Sequence, residues 1–394
     1  MIERILKSLR ERRRNIIEGN VNCIPSPFER FRGDFPGIEQ GKYYLVSANS
    51  KVGKTQLMNY LFLYNSVMYS YYHPEKVHIK ILYYNLEETQ EAITLRFMCY
   101  LLYTISGIHK SPGDLKSVRE DKVIDEAILN LFEDEPYKSI LDYFERTVAF
   151  LPDKNPFGIY KQAKLYAESN GVIHNKKMDI KDKSGNVVDS KDVFDYYVPH
   201  DPKEYVMIIV DHCSLISCDG KQDLREAINT LSSYMVQLRN RYNYIPVVIQ
   251  QQNQETGNLE AFKLNKIRPT MTGLADSKFT SKDCNVMLGL CNPWAFEINS
   301  YGGYSLSELK GNARFLEVVI NRDGESNGMI GLYFDGAVNY YEELPKPNSP
   351  ELGRFITRKQ GERSIVMTLF TKLKHLFKYD RITDREEESG ELQS

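Results

Sequence analysis

Residues 43–71 contain the feature that most limits what this chain can fold into. An apolar run, Tyr43–Ser47, leads into Ala48-Asn49-Ser50-Lys51-Val52-Gly53-Lys54-Thr55, and a helical pattern runs from Thr55 to about Tyr71. The segment fits the phosphate-loop pattern GxxxxGK[ST], with Ala48 in place of the first glycine. Its chemistry needs backbone N–H groups gathered around a phosphate at a helix N-terminus, a lysine reaching the β and γ phosphates, and a hydroxyl for Mg²⁺. Gly53, Lys54 and Thr55 supply these, and Ser50, Lys51, Val52 and Gln56 complete the candidate cradle. The bland alternative is a lysine-bearing turn that caps a helix, but a strand before and a helix after favour the phosphate loop. ATP and Mg²⁺ are the expected ligands.

The rest of the chain alternates in the same way. Strand-like Val77–Asn85 precedes a helix from about Thr89, and the apolar runs Tyr205–Val210, Ile245–Ile249 and Val286–Leu290 are separated by helical patterns such as Leu224–Tyr242. Such alternation predicts an α/β fold with a central, mostly parallel sheet flanked by helices. Two regions break it. Residues 174–204 are polar, with a Ser184-Gly185-Asn186 turn signal, and read as an inserted hairpin, either a docking arm or decoration. Residues 315–342 hold FLEVVIN and MIGLYFD, an expected antiparallel hairpin at the sheet edge.

At the N-terminus, Ile2, Ile5, Leu6, Leu9, Ile16 and Ile17 fall on one face of a predicted helix within residues 1–23. The main domain spans 24–345. An amphipathic helix over 346–379 follows, expected on a partner, a membrane surface or the chain's own core, and then an acidic, disordered tail over 380–394.

Composition narrows the class. The 394 residues carry 51 Lys plus Arg against 53 Asp plus Glu, a net charge of −2, so any nucleic-acid surface must be local. No apolar run is long enough to span a membrane, and the charged N-terminus lacks the core of a secretory signal. A cytoplasmic protein without a membrane partner is expected. The six cysteines lack CxxC spacing and read as buried thiols.

Hydrolysis needs a carboxylate beside the metal and a base to orient water. The apolar run Val206–Val210 ends in Asp211, the metal-side candidate, followed by His212 rather than a glutamate. The base candidate is Glu87, in Tyr84-Asn85-Leu86-Glu87-Glu88 at the end of the strand after the phosphate-loop helix. Parallel topology brings such strand ends together. Glu88 reads as a helix-start acid.

With these residues in order, the chain resembles the hexameric replicative DNA helicases of the DnaB type, with their RecA-like ATPase domain, from about Ile24 to Leu344. IPSPFERFRGDFPGIEQGKYYLVSANSKVGKT is similar to the opening of that domain, and NLEETQEAITLRF to its serine-leucine-glutamate segment. NPFGIYKQAKLYAESNG and IIVDHCSLI are similar to its Walker B helix and strand. IPVVIQQQNQ resembles the strand that ends in its γ-phosphate sensor, which falls on Gln251. VVINRDGESNG resembles the finger hairpin, which implies Arg322 as the arginine that completes a neighbour's site; Ile320 stands where the family usually has a lysine. PTMTGLADSKFTSKDCNV resembles the loop that grips DNA in the ring channel. The family's arginine falls on Ala275, so Lys278, and secondarily Lys282, are the implied phosphate contacts.

The resemblance implies a ring-forming, ATP-dependent helicase acting on single-stranded or forked DNA, a homo-hexamer with primase or a loader as further partners. The N-terminal helix then corresponds to the family's linker helix, docked on a neighbour or on its own domain, and no room precedes it for the family's N-terminal domain. A RecA/RadA-like recombinase and a non-translocating ATP-binding regulator or loader share much of the pattern and stand as alternatives.

Overall fold

A computed structural model describes residues 2–182, 186–220, 222–253, 267–309 and 311–361. The turn residues Ser184 and Gly185, the C-terminal helix beyond 361 and the acidic tail lie outside the described residues.

The chain opens with helix α1 (Ile2–Ile17), whose Ile2, Ile5, Leu6, Leu9, Ile16 and Ile17 are all exposed. The helix therefore does not bury its apolar face on its own domain, although Arg12 pairs with Glu39 at 2.8 Å. A short ladder, β1 (Ile24–Pro25) with β2 (Gly37–Ile38), leads to β3 (Tyr44–Ala48). After the phosphate loop, α2 (Lys54–Met58) passes through a π-helical stretch, Asn59–Tyr64, into α3 (Asn65–Tyr72). Strand β4 (His78–Asn85) follows, then α4 (Gln90–Ser106), whose first turn is capped by the Thr89 hydroxyl accepting the Ala92 N–H.

Between α4 and the next strands lie α5 (Pro112–Leu115), α6 (Glu126–Glu133), α7 (Tyr137–Thr147) and β5 (Val148–Leu151). Helix α8 (Pro156–Ser169) starts at an Asn155 cap and leads into a long antiparallel arm, β6 (Gly171–Lys181) with β7 (Val187–Pro199). The arm begins at 171, ahead of the polar stretch that signalled it, because Ile173, Phe194 and Tyr197 pack at its base against the α9 side of the domain. Strand β8 (Glu204–Asp211), α9 (Leu224–Tyr242), β9 (Ile245–Gln251) and β10 (Val286–Cys291) complete the parallel set. A small ladder, β11 (Ser300–Tyr301) with β12 (Tyr304–Ser305), precedes β13 (Ala313–Asn321), β14 (Met329–Asp335) and β15 (Tyr340–Glu343), and a last helix is described over 350–361.

The main sheet has nine strands in the order β15-β14-β13-β10-β3-β9-β8-β4-β5. From β10 to β5 all neighbours are parallel, and β13, β14 and β15 add an antiparallel edge. Alternation in the strands divides the apolar residues between two layers. Tyr44 and Val46 join Ile81, Tyr83 and the α2–α4 side; Tyr43 and Leu45 join Leu82, Tyr84 and the α8–α9 side. The central strands are buried on both faces, as a parallel sheet covered by helices requires.

Candidate active site

The phosphate loop leaves β3 at Ala48 and turns into α2 at Gly53, whose φ of 104° lies in the region that favours glycine. A Cβ at Gly53 would stand 2.9 Å from the Tyr341 hydroxyl, so both conformation and space demand glycine. Lys51 also adopts a positive φ at the exposed turn of the loop beside exposed Ser50, while Val52 is buried. Lys54 and Thr55, in the first turn of α2, are only 9% and 8% exposed. Gln56 is partly exposed, and its carbonyl accepts the Asn339 side-chain N–H at 3.2 Å.

Three neighbouring strands bring the other candidates to the same edge. From β3 outward, β9, β8 and β4 end in Gln251, Asp211 and Asn85, with Glu87 two residues further on. Asp211 is 2% exposed, and its two oxygens have different partners: Thr55 Oγ1 donates to Oδ1 at 3.3 Å, and the Tyr83 hydroxyl approaches Oδ2 at 3.4 Å. Burial and then the nearby carboxylates of Glu87 and Glu88 push the Asp211 pKa up to about 7. Glu87 is half-exposed, and its Oε2 lies 3.6 Å from His212 Nε2. His212 is nearly buried, and desolvation followed by the Lys54 charge lowers its pKa, so the imidazole is neutral. Glu88 is engaged elsewhere, paired with Arg96. Of the two glutamates, Glu87 is the one without a lysine or arginine partner among the described residues.

A buried hydroxyl and a buried carboxylate held together beside the phosphate lysine form a donor set suited to Mg²⁺: oxygen ligands, one ionisable and disfavoured as an anion until a cation arrives. Thr55 and Asp211 would hold the ion, directly or through water, and when bound it would neutralise charge on the phosphate oxygens.

Gln251 lies level with Ala48 in the β3–β9 register, partly exposed toward the loop. Its neighbours on either side point away and are fully used. Gln250 Nε2 donates to the Ala275 and Ser277 carbonyls at 2.5 and 2.6 Å, and its Oε1 accepts the Thr280 hydroxyl. Gln252 Nε2 donates to Ser47 Oγ at 2.7 Å and to the Thr270 carbonyl at 3.2 Å. These bonds fasten the segment carrying Lys278 to β9. Lys278 is exposed at the start of a short helix, Phe279–Asp283, and Lys282, also exposed, lies over the Phe279 ring at 5.0 Å.

Arg322 is not among the residues gathered here. The β10–β13 and β10–β3 registers put Asn321 level with Tyr44, four residues down the strand from Ala48, which is roughly 13 Å. Its guanidinium donates to the carbonyls of Cys284, at 2.8 Å, and Lys282. Arg322 and its own phosphate loop thus occupy opposite ends of the sheet.

Four neighbours of the site carried no functional signal in the sequence: Tyr83 behind Asp211, His212 beside Glu87, and Arg314 and Tyr341 behind the loop. Arg314 Nε donates to the Val52 carbonyl at 2.8 Å, and the Tyr341 hydroxyl to the Gly53 carbonyl at 3.0 Å. At three of these positions the sequence shows a tyrosine at an inward position of β4, a histidine directly after Asp211, and a lone arginine second in an apolar strand.

A sheet of this order, with a phosphate loop and two acids at the carboxyl ends of its parallel strands, defines a RecA-like ATPase fold. Among solved structures, the chain is similar to one of an ATPase domain, with a TM-score of 0.58 and 13% identity over 88% of this chain and 99% of that one. It is equally similar to a DnaB-like replicative helicase whose structure was determined together with its interactions with primase: TM-score 0.58 and 13% identity over 86% of this chain and 66% of that one. No family model and no curated protein matches the sequence. At this identity the likeness establishes the fold.

Proposed function

We infer that this chain is a subunit of a DnaB-type helicase motor: a ring-forming, Mg²⁺-dependent ATPase that translocates on single-stranded DNA and unwinds duplex during replication. The observation that supports this reading is the division of the chemistry between the two ends of the sheet. Lys54, Thr55, Asp211, Glu87 and Gln251 meet at one end, and the strong cation Arg322 sits at the other. A site short of a cation, on a chain that carries one at its far end, suits head-to-tail assembly in which each Arg322 serves the next subunit's nucleotide. In that arrangement Lys54 neutralises the β and γ phosphates, Glu87 orients the attacking water, Gln251 senses the γ-phosphate, and Arg322 meets the charge that develops on the transferring phosphoryl group. Lys278, with Lys282 in support, contacts the DNA backbone. The solved neighbour studied with primase makes a primase a candidate partner.

The test is ATP turnover with and without single-stranded DNA, together with unwinding of a forked substrate. Stimulation by DNA and loss of turnover in Lys54→Ala and Glu87→Gln are expected. A basal rate that survives Lys54→Ala, or open filaments in place of closed rings under ATP, would overturn the reading.

A further inference from the structure

Arg314, the second residue of β13, is 8% exposed, yet no carboxylate among the described residues pairs with it. Its guanidinium donates instead to three carbonyls, those of Val52, Gly311 and Ala313, each at 2.8 Å, and lies over the Phe334 ring at 5.1 Å. Burial lowers its pKa, with only Tyr341 and Cys291 acting the other way. A buried cation without an anion is costly, and folds normally pair it. Carbonyl dipoles and an aromatic face offset part of that cost and leave the net charge uncompensated.

The place of this charge indicates what completes it. The Val52 carbonyl and the Gly53 N–H belong to one peptide unit, and the Gly53 carbonyl and the Lys54 N–H to the next. Arg314 donates to the first carbonyl and the Tyr341 hydroxyl to the second. A hydrogen bond to a carbonyl polarises its peptide and makes the N–H at the other end a stronger donor. Those N–H groups are the ones a phosphate loop turns toward its ligand. The phenol adds only a dipole, whereas Arg314 adds a full positive charge behind the loop.

We propose that Arg314 is a nucleotide-positioning residue whose missing counter-ion is the polyphosphate of the bound nucleotide, reached through the Val52–Gly53 peptide. This rests on the nucleotide reading above. It assigns a phosphate-binding contribution to the antiparallel edge of the sheet, outside the loop motif. The contribution should scale with phosphate charge: greatest for ATP, smaller for ADP and least for AMP.

The experiment compares wild type, Arg314→Met and Arg314→Lys in the full chain, measuring thermal unfolding without nucleotide and titrations of ATP, ADP and AMP with Mg²⁺. In Arg314→Met, removal of the uncompensated buried charge and the loss of a donor for three carbonyls act in opposite directions on unfolding without ligand, so the dependence of affinity on the nucleotide is the deciding readout. ATP affinity should fall on the order of tenfold, ADP affinity less, and AMP affinity little. Arg314→Lys, which keeps the charge but loses the fork, should recover most of the ATP affinity. If Arg314→Met loses affinity equally for all three nucleotides, or Arg314→Lys recovers none of the ATP affinity, the residue is a structural clamp and the proposal fails. Failure of wild type itself to bind ATP would instead overturn the nucleotide reading.

Discussion

At the scale of single residues, the site is built around a carboxylate kept from its preferred charge state. Asp211 is buried beneath Thr55 and Tyr83 with two more acids near it, and its pKa is pushed up to about 7. An unfolded aspartate titrates near 3.9, so the folded protein holds this proton more tightly. The resulting destabilisation is absent below about pH 4, grows as pH rises, and is complete above about pH 7. Asp211→Asn removes it. In the absence of Mg²⁺ and nucleotide, the stability gained by Asp211→Asn should increase by about 3 kcal/mol between pH 5 and pH 8, read from denaturant unfolding at the two pH values. A gain independent of pH would mean that Asp211 is solvated or already neutralised. Asp211 and Glu87 were legible in the sequence because each ends or follows an apolar run. Tyr83 and His212 were not, because an inward tyrosine in a buried strand and a histidine after an aspartate have ordinary structural explanations. Only the register of β4 beside β8 gives them a role.

At the scale of elements, β9 does two jobs through its alternation. Gln251 faces the phosphate loop, while Gln250 and Gln252 face the segment that runs back to Lys278 and hold it by side-chain bonds. Gln250→Leu is close in volume but would leave the Ala275 and Ser277 carbonyls and the Thr280 hydroxyl without their partner. Buried groups left unsatisfied cost about 1–3 kcal/mol each, and relaxation toward solvent lessens the total. Gln250→Leu should therefore destabilise the protein by about 2–4 kcal/mol and raise amide hydrogen exchange at Ala275, whose N–H bonds the Gln251 carbonyl, ahead of the β3 core. Uniform exchange across both regions would contradict a local fastening. The apolar run signalled β9 in the sequence and the resemblance singled out Gln251, but nothing in the sequence assigned Gln250 and Gln252 a fastening role. Likewise, α5, α6, α7 and β5 escaped notice, since their short patterns carry no chemistry and β5 has only four residues. The edge strand β15 escaped because Tyr340–Glu343 has polar ends and depends on β14 for pairing.

At the scale of the whole molecule, geometry limits what one chain can do with its own parts. Arg322 is roughly 13 Å down the strands from the level of its own phosphate loop, two strands across, and its guanidinium is turned toward the Lys282 and Cys284 carbonyls. No side-chain rotation brings it to its own nucleotide, so any contribution to hydrolysis has to be made to another copy. The exposed apolar face of α1 is a second surface that this chain leaves unburied. The near-neutral charge fits the same picture, because several copies of Lys278 converging on one axis would make a basic channel from subunits of net charge −2. The prediction belongs to mixtures. Arg322→Ala alone should bind ATP normally and lose turnover by about a thousandfold or more, the scale of an arginine finger. Glu87→Gln alone should also be inactive. Mixed in equal amounts, the two should regain activity, because an Arg322→Ala subunit still offers an intact Glu87 site to a neighbour whose Arg322 is present. The gain should depend on total protein concentration, since only interfaces between unlike subunits are complete. Full turnover by Arg322→Ala alone, or no recovery in mixtures that form the same assemblies as wild type, would rule out a site shared between subunits.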